Sequence, residues 1–125
     1  MRALSLLFAL SVAACAAPAC GPGLSGGAAI DLYFGGSPDA AAWRSFVAES
    51  LIREFPEGST TVDAEGTWLS RRQGRTIVER SKLVTLIVPD ARAAEPGVGR
   101  LIADYKRRFD QDSVLRVERA VCFAF

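Results

Sequence analysis

The 125-residue chain contains no histidine. Without imidazole the usual general base near neutral pH is missing, and so is the commonest nitrogen ligand for zinc, so no Ser or Cys has a His to activate it. Cysteine is scarce too: Cys15, Cys20 and Cys122 are the only three. That is too few for a zinc site, and neither a metal nor a cofactor is expected. Charge of one sign is absent as an excess, with fifteen Lys and Arg against fourteen Asp and Glu for a net +1. The chain therefore lacks the basic footprint of a nucleic-acid binder and the cationic surface that anionic lipid would attract. Gly97 and Gly99 supply half of a dinucleotide fingerprint and follow no strand, which removes that nucleotide fold. No apolar run is long enough to be retained as a membrane span of about 20 residues. The length fits one small domain and leaves no room for a second.

What is present begins with an address. After Arg2, Ala3 to Ala14 (ALSLLFALSVAA) is apolar apart from two serines and reads as a signal-peptide core. It ends in Val12, Ala13, Ala14, Cys15, which resembles a bacterial lipobox, and that resemblance implies that Cys15 becomes the lipidated first residue. Ordinary cleavage at Ala14, Cys15, Ala16, read as an A-x-A site, is the alternative. Several acyl chains on one residue would anchor the protein stably where a single chain would not. Ala16 in place of an aspartate leans toward the outer membrane, with the domain in the periplasm. The expected organisation is a signal peptide at 1–14, a lipidated cysteine and flexible tether at 15–27, and a single domain at 28–125.

Removing residues 1–14 takes away Arg2 and leaves 14 basic and 14 acidic side chains, a formally neutral mature chain. It also leaves Cys20 and Cys122 in an exported compartment where disulfides persist, as natural partners 102 residues apart. Two free thiols are the alternative reading.

Within the domain, Ala29 to Phe34 sets Ile30, Leu32 and Phe34 on one strand face against Asp31 and Tyr33. Gly35 and Gly36 break this strand, Ser37 can cap, and a helix is predicted from Pro38 to Phe55 with Trp43, Phe46, Val47 and Leu51 on its stripe. Ser59 to Leu69 and Thr76 to Val88 are β-rich and joined by a polar linker, hence a hairpin. A second helical stripe runs through Val98, Leu101, Ile102, Tyr105 and Phe109, with Asp90 as a cap and an early break or kink expected at Pro96 and Gly97. Ser113 to Phe125 alternates Leu115, Val117, Val121 and Phe123 against Arg116 and Glu118. Strand, helix, strand, strand, helix, strand is the order of an α+β ferredoxin-like sandwich, a four-stranded antiparallel sheet with both helices on one face. That topology sets the first and last strands side by side and brings Cys20 within reach of Cys122.

Several strings resemble a family of small exported bacterial proteins catalogued only as a domain of unknown function. They are Leu32 to Gly35 (LYFG), Phe55 to Gly58 (FPEG), Trp68, Glu79 to Lys82 (ERSK), the helix end Tyr105, Lys106, Arg108 and Phe109, and Ser113 to Val117 (SVLRV). The resemblance covers nearly all of the chain from about Cys20 onward. It implies no catalytic residue, since that family has no established activity.

The densest polar cluster, Glu79, Arg80, Ser81 and Lys82, precedes the apolar run Leu83 to Val88. Alternate members could line a pocket or interface with Tyr33, Arg116, Asp31 or Glu118, and a solvated face with cross-strand ion pairs is the plainer reading. Gly35, Gly36 and Ser37 before a helix could hold an anion, although a tight turn needs the same residues. A run apolar on both faces would leave half its side chains in water if helices cover one side only. The open face, with Tyr33 and alternate residues from Arg80 to Val88, is therefore expected to pack on a second copy or an envelope protein partner. Two functions remain: a non-enzymatic envelope binding module, and an enzyme using a polar pocket on the sheet face of a dimer. A pocket uniting Glu79 or Arg80 with Tyr33 would favour the enzyme.

Overall fold

The computed structural model describes residues 19–36 and 38–125. The signal peptide, the lipidation site Cys15 and the expected cap Ser37 lie outside the described residues. In chain order the elements are β1 (Ser25–Phe34), α1 (Ala40–Phe46) leading through a π-helical turn (Val47–Leu51) into α2 (Ile52–Glu54), β2 (Thr60–Ser70), β3 (Arg75–Val88), α3 (Ala91–Phe109) and β4 (Leu115–Phe123). The strands form one antiparallel sheet in the order β2-β3-β1-β4, and the helices cover one face, as the ferredoxin-like expectation required.

Period-two alternation decides which strand residues meet the helices. Ile30, Leu32 and Phe34 of β1 and Val84, Leu86 and Val88 of β3 are buried under Trp43, Phe46, Leu51, Phe55, Val98, Leu101 and Tyr105. Phe34 anchors an aromatic cluster, its ring 4.5 Å from Tyr105 and 5.6 Å from Phe46, in the tilted and edge-on arrangements that ring quadrupoles favour. The π-helical turn places Ser50 inside, where its hydroxyl donates to Asp104 of α3. Arg108 Nε, also on α3 and 2.8 Å from the same carboxylate, supports this polar tie between the two helical segments.

Four expectations change. The domain begins before Ala28: Gly21 to Leu24 makes a turn closed by Leu24 N–H to the Gly21 carbonyl at 3.2 Å, with Gly23 at φ +76 after Pro22. This turn carries Cys20 back beside β1, so the last part of the expected tether belongs to the fold. The first helix starts at Ala40, because the Asp39 carboxylate accepts from the Ala41 and Ala42 N–H groups at 2.9 and 2.8 Å and caps it there. Those amides are thus occupied by the chain's own carboxylate, and no anion cradle forms on them. The second helix runs unbroken through Pro96. Proline costs it one donor near the helix start, and both Pro96 and Arg92, whose carbonyl loses that partner, are solvent-exposed. Asp90 caps it as expected, accepting from Arg92 and Ala93.

The fourth change concerns faces. Tyr33 pairs with Leu83 and Leu32 with Val84, so the residues sharing the open face with Tyr33 are Glu79, Ser81, Leu83, Thr85 and Ile87. Val84, Leu86 and Val88 are core residues. On β4 the apolar set Leu115 and Val117 faces away from the helices, 60% and 40% exposed, while Arg116 lies on the helix side beside Glu95 of α3.

Candidate functional site

The open face is built by ladder register. One row across all four strands reads Val62, Leu83, Tyr33, Leu115, and the next reads Thr60, Thr85, Asp31, Val117. Polar residues normally occupy the solvated face of an antiparallel sheet. Here Val62 and Leu115 are more than half exposed, and Trp68 further along β2 is 50% exposed.

Asp31 sits in the middle of this face yet is buried. Its carboxylate accepts from Thr85 Oγ1 at 2.7 Å and from the Arg119 guanidinium. The Thr85 hydrogen bond, then that of Arg119, hold its pKa below the usual carboxylate range, against the opposing pull of burial. A depressed folded-state pKa contributes stability that is present above the unfolded value near 3.8 and is lost as pH falls through the folded value. Asp31→Asn should therefore flatten the acid limb: wild type should lose more urea resistance than the variant between neutral pH and the acid range below 3.8. Parallel curves would show that Asp31 is not the group responsible.

Where β2 and β3 leave the rest of the sheet, a groove of about 650 Å³ opens between this hairpin, the end of β1 and the loop before β4. Tyr33, Trp68 and Leu115 supply apolar walls, Glu79 and Asp112 supply acids, Glu65 borders it from the opposite face of the ribbon level with Arg80, and neither Lys nor Arg lines it. Gly35 admits the Glu79 carboxylate, one oxygen of which lies 2.6 Å from where a Cβ would stand. The Tyr105 hydroxyl donates to the Gly35 carbonyl at 2.6 Å. Burial, and then the Glu79 charge, push its pKa upward, so Tyr105 stays a neutral donor that braces the groove floor.

The structure brings Tyr33 and Glu79 together in this groove and separates the other candidate site residues from them. Arg80 and Lys82 point to the helix side, lining a second cleft with Asp39 and Asp63. Lys82 pairs there with Asp63 and lies 5.8 Å from the Trp43 ring centre. Arg116 is engaged by Glu95 at 3.0 and 2.6 Å and by Glu118. These opposite faces follow from alternation, since 79 and 80 cannot share one. Cys20 and Cys122 form the expected disulfide, with Cα atoms 5.5 Å apart and Cys122 level with Gly26 of β1. Sequence reading did not assign Trp68, Glu65 and Asp112 to a site. The period-two series Val62, Ala64, Gly66, Trp68 was the signal that could have placed Trp68 on the face of Tyr33.

The model of a family described as protein of unknown function (DUF3574) matches residues 29–125. Among solved structures, a phage SAM lyase in complex with S-methyl-5′-thioadenosine aligns with a TM-score of 0.61 at 14% identity, over 81% of this chain and 92% of that one. A phage SAM lyase in the apo state aligns with a TM-score of 0.54 at 16% identity, over 97% of each chain. Identities this low show a shared fold and nothing of activity. No curated protein matches the chain.

Proposed function

The chain belongs to this family of uncharacterised proteins, and on that premise we propose that it is a small binding module anchored by lipid at Cys15 in the cell envelope, whose open sheet face packs against a second copy. The supporting observation is the water-facing apolar row Val62, Leu83, Tyr33 and Leu115, flanked by Val117. Contiguous exposed apolar surface of this kind marks interfaces. A mature chain with 14 basic and 14 acidic side chains sets no net repulsion between copies. Anchoring both copies in one membrane would raise their effective concentration.

The test is purification from native membranes followed by intact mass and crosslinking. Acyl mass on a chain that begins at Cys15, together with a crosslinked dimer, is the expected result. A mature N-terminus beyond Cys15 would end the anchoring reading. Val117→Lys should abolish the dimer with an unchanged melting temperature, since that side chain is 40% exposed. A dimer that survives this change would end the face-packing reading.

A second reading, an enzyme acting in the groove, is favoured by one observation: Tyr33 and Glu79 share its lining. A small molecule retained by the purified protein and lost in Glu79→Gln would support it.

A further inference from the structure

The hairpin is longer than the sheet that holds it. β1 ends at Phe34 opposite Lys82, whereas β2 and β3 continue pairing through seven further positions, from Ala64 with Ser81 to Ser70 with Arg75. At about 3.4 Å per residue this two-stranded arm projects about 20–25 Å beyond its neighbours. A two-stranded ribbon is marginal in water without something to pack on. This arm nevertheless exposes apolar side chains on both faces, Trp68 at 50%, and Leu69 and Val78 at 66% and 59%. Its tip carries Arg71, Arg72 and Arg75, and Arg71 and Arg72 have no acidic partner among the described residues.

At the base of the same arm lies the groove described above. Two of its acids, Glu79 and Asp112, have no cationic partner among the described residues, whereas Glu65 stands level with Arg80 on the opposite face of the ribbon. Three tip cations and two groove carboxylates thus sit on one chain, with Glu79 four residues down β3 from Arg75 and Asp112 beyond the base of the arm. A rigid ribbon cannot bring its own tip to its own base, but two copies related by a two-fold axis can each place a tip at the other's base. A two-fold exchange of this kind uses both the tip and the groove of each copy within the pair, and Trp68, a groove wall, would lie where an incoming guanidinium can stack on it.

Resting on the self-association reading, we propose that the β2–β3 arm of each copy docks in the acidic, aromatic-walled groove of the other, with Arg71, Arg72 and Arg75 meeting Glu79 and Asp112. The arms then cover each other's apolar faces, and the pairing is selective because like-charged tips and grooves reject themselves.

Charge exchange tests this in the full chain. Two variants are made, a tip reversal (R71E/R72E/R75E) and a groove reversal (E79K/D112K). Each is tagged differently, extracted in detergent from membranes, and checked for an unchanged disulfide and melting transition. Each variant alone should self-associate at least about tenfold more weakly than wild type, and mixing the two should restore association. Wild-type association should also weaken as salt rises, a readout that needs no variant. Undiminished self-association of either reversal, failure of the mixture to restore it, or salt-independent association would each overturn arm docking. If wild-type copies associate and only Val117→Lys separates them, the sheet-face reading stands and arm docking falls. If wild-type copies never associate, both fall.

Discussion

Val84→Lys should give a chain that does not fold. Val84 is fully buried between Leu32 and the helices. Placing an ammonium there without a partner costs several kcal/mol after relaxation. Since a small domain has only about 5–15 kcal/mol of net stability to lose, the expected product is insoluble or devoid of a cooperative transition. The contrasting variant is Val62→Lys, whose side chain is 52% exposed on the open face and whose stability should stay within about 0.5 kcal/mol of wild type. A folded, cooperative Val84→Lys protein would mean that β3 is turned over relative to the register with β1. Urea denaturation followed by circular dichroism distinguishes these outcomes.

Removing the disulfide should have the next largest effect. Cys20 and Cys122 are 102 residues apart in sequence, and in the chain-entropy model closing a loop of that size restricts the unfolded state by about 4.7 kcal/mol at most. The bond also ties edge strand β4 to β1 beside the Gly26–Cys122 pair, far from the aromatic cluster. Replacing both cysteines by alanine should cost about 2–5 kcal/mol, lowering the melting temperature by about 10–20 °C for a domain of this size. Reductant should do the same to wild type. Unchanged melting in both would show that the bond adds nothing to native stability.

The two variants probe features of different legibility. The disulfide was readable from cysteine count and strand order, because a first and last strand that pair antiparallel bring the two chain ends together. Element order was readable for a related reason: Ile30, Leu32 and Phe34 alternate at period two and Val98, Leu101, Ile102 and Tyr105 recur at helical spacing, both local consequences of burying one side of an element. The family resemblance likewise rested on local strings such as LYFG and FPEG.

What stayed hidden depends on relations between segments. Leu83 to Val88 is apolar at every second position in either phase apart from Thr85, so only its register with β1 could decide which half is core. Leu115 and Val117 are the apolar half of β4, yet they face water, because the Leu32–Arg116 pairing places Arg116 on the helix side, where Glu95 receives it. Asp39 caps the first helix through a carboxylate that reaches two amides, a contact that position along the chain alone did not single out. The groove unites Tyr33, Trp68, Glu79 and Asp112 from four separate segments, and no spacing along the chain encodes that meeting. Local periodicity determined the elements and their order; pairing register and hairpin length, which are settled only when strands meet, decided which face is open and where the site lies.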